Sequence, residues 1–133
     1  MSSVIVGLGC DRGASPDTVR EAVDQALALA GVEPAAVAAV ASIDKKSDEA
    51  AILALAAERG WALRFFSAEA LACVAVPSPS ETVRRHMGTP SVAEAAALLA
   101  ASAGMQALIL EKHKHRGGDG KHATVSIARR ISA

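Results

Sequence analysis

The residues able to do chemistry fall in a few short stretches. Gly7-Leu8-Gly9-Cys10-Asp11-Arg12-Gly13 sets glycine backbone beside a thiol and a guanidinium, and Asp44-Lys45-Lys46-Ser47-Asp48-Glu49 sets two ammonium groups among carboxylates. Arginine can grip a carboxylate through two parallel N–H bonds, lysine acts as a point charge, and open amides at a helix start also favour anions. The two stretches therefore predict a site for carboxylate or phosphate, built from Gly9, Cys10, Asp11, Arg12, Gly13, Lys45, Lys46 and Glu49, with Ser67, Ser78 and Lys112 as further ligand candidates. Cys10 is a candidate nucleophile if Arg12 and a helix start stabilise its thiolate, and Glu49 and Glu81 are candidate acid–base groups. Each has a plainer reading: Cys10 as a small buried residue, Glu49 as a partner of the helix dipole, Ser80 beside Glu81 as a helix cap. His113 and His115 share one side of an extended chain, and a hairpin would bring His122 across from them, so three imidazoles are available to a transition metal. A solvated, mobile hairpin tip is the favoured reading, and neither a metal nor a cofactor is expected.

Elements must position these residues. Val4-Ile5-Val6, closed by glycines, reads as a buried strand. Ser15 caps a following helix, Pro16 suits its first position, Val19, Val23, Ala26, Leu27 and Ala30 recur at helical spacing, and Gly31 ends it. Residues 37–43 read as a second strand. A second helix begins at Ser47, buries Ile52, Leu55 and Ala56, and stops at Gly60. Residues 62–66 give a third strand, then Ser67 and a short helix through Leu71. Pro77-Ser78-Pro79-Ser80 is a loop with a short helix from Ser80. The capping box Ser91 to Glu94 starts another helix, bearing Val92, Ala95, Leu99 and Ala103 on one face. Residues 107–110 and 123–128 are the fourth and fifth strands, joined through Arg116-Gly117-Gly118-Asp119-Gly120, too short for a crossover helix. The pattern predicts an α/β fold: one three-layer α/β/α domain over residues 1–133, with a mixed five-stranded sheet ending in a C-terminal β-hairpin. Ligands of such sheets bind beyond the carboxyl ends of the strands. There the glycine loop, the lysine pair and Ser67 share one rim.

Composition narrows the choice of partner. The 133 residues are 51% hydrophobic, but 31 are alanine, and the aromatics are Trp61, Phe65 and Phe66 alone. Fourteen basic and fourteen acidic side chains cancel, so neither a nucleic acid nor a membrane surface is an expected partner. Two cysteines offer no disulfide framework, the start has no charged leader, and no apolar run spans a bilayer; a cytoplasmic protein is expected. A basic rim, offset by acids elsewhere, is compatible with zero net charge. A nucleotide-binding module is a distant alternative. Gly7-x-Gly9 follows a strand, but the third glycine is Gly13, one position late, and Asp44 lies too far on to bind a ribose.

The glycine-cysteine-arginine opening, residues 41–49, 64–71 and 77–83, Ser91-Val92-Ala93-Glu94-Ala95-Ala96-Ala97, and the strand leading to Lys112 occur in an order that resembles the CobE/CbiG C-terminal domain family of cobalamin biosynthesis. The likeness runs from Val4 to Ala128 and is to the stand-alone CobE form. In the CbiG form, the domain follows other regions in a hydrolase that opens the lactone of cobalt-precorrin-5A and releases a two-carbon aldehyde. Those regions are missing here, and Asp11 stands where relatives carry a basic residue. The resemblance implies a role in the aerobic corrin pathway, with a polycarboxylate precorrin or hydrogenobyrinic-acid-type tetrapyrrole as ligand and other corrin-pathway enzymes as further partners. It leaves open a carrier or accessory enzyme, a lactone hydrolase or rearrangement catalyst using Glu49, Glu81 or Cys10, and an accessory subunit.

Overall fold

The computed structural model describes residues 3–74 and 92–130. Strands β1 (Val4–Cys10), β2 (Val37–Ile43), β3 (Ala62–Phe66), β4 (Leu108–Arg116) and β5 (His122–Arg129) form one sheet in the order β3-β2-β1-β5-β4. β1, β2 and β3 are parallel, and β5 runs antiparallel to β1 and β4. The mixed sheet closed by a hairpin thus forms as expected.

Alternation along the strands feeds two cores. Val6, Leu8, Val40, Val125 and Ile127 meet helices α1 (Pro16–Ala30) and α2 (Ala50–Arg59) on one face. Ile5, Ala39, Ala41 and Ala128 meet helices α3 (Ala68–Ala72) and α4 (Val92–Ala101) on the other. The six alanines of α4 have a packing reason, since the helix is buried nearly all round and lies very close to the sheet. A Cβ built on Gly7 would stand 1.9 Å from the Ala93 carbonyl oxygen and 2.8 Å from the Ala97 Cβ, whereas one on Gly9 would meet only Val92, at 3.8 Å. Those contacts also fix direction: α4 runs against β1, with its N-terminus over the carboxyl end of that strand.

α1 begins as its sequence predicts, with the Thr18 N–H donating to Ser15 Oγ at 3.1 Å and Gly31 closing the helix at φ +69°. The second helix begins later than expected, at Ala50. Asp44–Lys46 form a 3-10 turn instead, and the side chain of Glu49, the residue preceding α2, is directed elsewhere, as described below.

β4 continues to Arg116 rather than ending near Leu110. Its extension is held from α1, where His113 Nε2 lies 2.7 Å from Gln25 Oε1 and His115 Nε2 lies 2.9 Å from Glu21 Oε1.

The expected mobile tip is docked. Asp119 accepts from the Ser15 N–H at 2.8 Å, the Thr18 hydroxyl at 2.8 Å and the Lys121 N–H at 3.0 Å. A Cβ on Gly117 would press to 2.0 Å from Thr18 Oγ1. The chain's own carboxylate therefore occupies the start of α1, the place expected to receive a ligand's. The Ser15 and Lys121 N–H groups, with the Thr18 hydroxyl, hold the Asp119 carboxyl at about 2. Its folded value lies below its unfolded one, so the stability it contributes is complete above about pH 4 and is lost as the pH falls toward 2. Asp119→Asn should lower the urea midpoint at neutral pH and flatten its decline between about pH 4 and 2. An unchanged acid limb would show that this carboxylate is not what fastens the tip.

Candidate functional site

At the carboxyl ends of the parallel strands, the glycine loop after β1 meets the turn after β2. Glu49, 3% exposed, lies between them. Its Oε1 accepts from the Gly13 N–H at 2.7 Å, and its Oε2 accepts from Arg12 Nη1 at 2.8 Å. Gly13 sits at φ +80°, a backbone state that favours glycine. Arg12 Nη1 also donates to Asp48 Oδ1 at 2.9 Å, and Nη2 donates to the Lys45 carbonyl at 2.7 Å. Lys46 is buried and Lys45 exposed in the same turn. Cys10, Arg12, Gly13, Lys45, Lys46 and Glu49 thus converge as the sequence predicted. Acids share the rim with the cations, however. Asp48, within the helix expected to begin at Ser47 but not among the site candidates, closes an ion pair with Arg12, so the expected excess of basic charge is balanced on the spot.

Of the remaining candidates, Ser67 is at this same end of the sheet, since it follows Phe66, which pairs with Ile43 just before the β2 turn. Asp11 turns toward β5: its Oδ2 accepts from the His122 N–H at 2.8 Å and lies 3.1 Å from His122 Nδ1. Ser67 caps α3 by accepting from the Ala70 N–H at 3.1 Å. Lys112 is on β4, two strands from β1. Ser78, Ser80, Glu81 and Ser91 lie outside the described residues. The three imidazoles do not converge: His113 and His115 face Gln25 and Glu21, and His122 faces Asp11. Among the described residues, no three His, Cys, Asp or Glu side chains gather into a metal site.

Of the two readings of Cys10, the surroundings favour the small buried residue over the stabilised thiolate. Burial pushes its thiol up to about 11; Lys46 opposes the rise, while Glu49 and Asp11 add to it. The guanidinium that was to stabilise a thiolate is engaged by Glu49 and Asp48 instead, and Cys10 Sγ lies 3.9 Å from Glu49 Oε1. A thiol in this state is a poor nucleophile at neutral pH. Iodoacetamide at pH 8 should modify exposed Cys73 well before Cys10; equal rates would restore Cys10 as a reactive group.

The family model described as "Cobalamin synthesis G C-terminus" matches residues 4–128. The chain belongs to this family. The cobalamin synthesis G C-terminal fold is shared with solved relatives at high similarity. A crystal structure of CobE, a protein from the cobalamin (vitamin B12) biosynthetic pathway, superposes with a TM-score of 0.83 at 31% identity, covering 99% of this chain and 93% of that one. The cobalamin biosynthesis protein chiG from Agrobacterium tumefaciens superposes with a TM-score of 0.69 at 33% identity, covering 98% of this chain and 99% of that one. Protein CobE of Sinorhizobium sp is 37% identical over 111 residues, 82% of this chain and 71% of the relative. The cobalt-precorrin-5A hydrolase of Priestia megaterium is 31% identical over 107 residues, which are 80% of this chain but only 29% of that enzyme. This chain is therefore a cobalamin biosynthesis protein of the CobE/CbiG family, matching a minor part of the hydrolase's length. No helix among the described residues is long and apolar enough to cross a membrane.

One further residue of the family's domain was passed over in the sequence. Glu94, in the first turn of α4, is wholly buried. From the sequence it reads most simply as the capping-box partner of Ser91. Only the apolar residues on both sides of it, Val92-Ala93 and Ala95-Ala96-Ala97, hinted that this carboxylate is buried.

Proposed function

We propose that the protein binds a polycarboxylate corrin-ring intermediate at the rim formed by the β1 loop and the β2 turn, and serves the pathway as a carrier or accessory protein. The observation that carries this reading is the state of Arg12. Two of its five N–H groups are used on Nη1, for Asp48 and Glu49, and one on Nη2, for the Lys45 carbonyl. The Nε–H and the second Nη2–H have no partner among the described residues, and the side chain is 57% exposed. A guanidinium held on one side and open on the other is organised to take a carboxylate without first losing side-chain freedom. Lys45, exposed in the adjoining turn, supplies a second cation. Corrin intermediates are flat and fringed with acetate and propionate groups, so a rim that takes carboxylates suits their edge.

The thiol state of Cys10 and the wholly donor-facing contacts of Glu49 favour binding over covalent catalysis at this rim. The test is an absorbance titration with hydrogenobyrinic acid. Arg12→Ala combined with Lys45→Ala should weaken binding at least tenfold while the circular dichroism spectrum stays native. Unaltered affinity in that double variant would remove the rim from the account.

A further inference from the structure

At the opposite end of the sheet, a groove of about 290 Å³ opens on the face that carries α4. Ile5, Ala39 and Ala62, side by side on β1, β2 and β3, line its floor. Ala101 and Ser102, at the end of α4, line one wall. The polar reach comes from Arg64 on β3 and Arg130, the residue after β5, and among the described residues no acidic side chain lines the groove. β3 and β5 are separated by β2 and β1, so the two arginines arise about 14 Å apart across the sheet, at about 4.8 Å per strand. Arg64 is held in place: Nη1 donates to the Ala100 carbonyl at 3.3 Å, and the guanidinium lies 5.1 Å from the Phe66 ring centroid. Arg130 is exposed and makes no side-chain hydrogen bond or ion pair among the described residues. Ser102 closes α4 in the left-handed conformation, at φ +56°, with its N–H donating to the Leu99 carbonyl at 3.2 Å.

An apolar floor with a fixed guanidinium on one side and an open one on the other is complementary to a molecule with two separated anionic ends and an apolar middle. We propose that this groove binds a short aliphatic dicarboxylate, one carboxylate on Arg64 and the other on Arg130, independently of the rim. Its volume is at the small end of the range for ligand pockets, which suits a free dicarboxylate and is too small for a macrocycle.

The test is a titration of the intact protein with succinate, glutarate and adipate, followed by amide chemical shifts. Resonances of Ala62, Ala101 and Ser102 should move, and butyrate should bind at least fivefold more weakly than the best dicarboxylate. Arg130→Gln, which removes no observed contact, should weaken the dicarboxylate at least fivefold, and Arg12→Ala should leave it unchanged. Butyrate binding as well as the diacids, an unaffected Arg130→Gln variant, or shifts confined to residues 10–13 and 45–49 would each overturn the proposal. The last result would assign the diacid to the rim; loss of corrin-acid binding alone would overturn the rim reading and leave the groove standing.

Discussion

Gly7→Ala is expected to cost about 3 kcal/mol or more, beyond the usual range for adding one methylene to a packed core. The new methyl would stand 1.9 Å from a backbone carbonyl of α4 and 2.8 Å from the Ala97 Cβ. Backbone cannot rotate aside as a side-chain tip can, so the helix must lift from β1. That shift would open the core containing Ile5, Ala41, Ala97 and Leu98, and a domain of ordinary stability has only about 5–15 kcal/mol to lose. Gly9→Ala is the control. It is two residues along the same strand, with Val92 at 3.8 Å, an ordinary contact, and should change stability by less than about 1 kcal/mol. Urea denaturation of both variants checks this; equal losses would mean that α4 is not seated on Gly7.

Glu49→Ala is expected to lower stability by about 2–3 kcal/mol, the scale for hydrogen bonds that involve charged groups, and to weaken corrin-acid binding about tenfold. Glu49 is buried and joins the Gly13 amide to Arg12 across the β1 and β2 ends. Without it, the glycine loop loses its tie to the turn, and the guanidinium keeps only exposed Asp48 and the Lys45 carbonyl. Glu49→Gln retains an acceptor for Gly13 but sets an amide group or an uncharged oxygen against Arg12, so it should fall between the two in stability and in affinity. Glu49 acts here as a positioning residue. Its substitution should leave the Asp119 contacts that fasten the hairpin to the start of α1 unchanged. A variant that keeps full affinity would show that Arg12 needs no such support.

How far the sequence could be read depended on the range of the interactions. Strands and helices followed from local signals, such as the glycine-closed Val4-Ile5-Val6 run, the Ser15-Pro16 start of α1 and the αL stops at Gly31 and Gly60. The meeting of Arg12 with Glu49 was legible as a shared rim, because parallel strands place their ends together. The charge balance within that rim was hidden. Asp48 and Glu49 read as first-turn acids of a helix that in fact begins at Ala50, and what they pair with is 36 or 37 residues away. Asp119 was hidden for the same reason. Within Arg116-Gly117-Gly118-Asp119-Gly120 it has the look of a solvated turn residue, and nothing local reveals that Ser15 and Thr18, more than a hundred residues back, donate to it. Gly7 and Gly9 look equivalent in the sequence, and only the approach of α4 separates a packing requirement from a tolerant site. Cys10 had two readings, nucleophile and small buried residue; the sequence could not weigh them because burial, set by the tertiary packing, decides its protonation.

Whether the rim takes a corrin acid is measured most directly by co-elution. The purified protein is mixed with hydrogenobyrinic acid and passed through a size-exclusion column, with absorbance followed in the protein and visible bands, and the run is repeated with cobalt-containing corrin acids. The visible chromophore should travel with the protein at up to one molecule per chain, and should separate from it in the Arg12→Ala, Lys45→Ala variant. Elution of all of the chromophore at the volume of the free acid, across the whole series, would contradict the account.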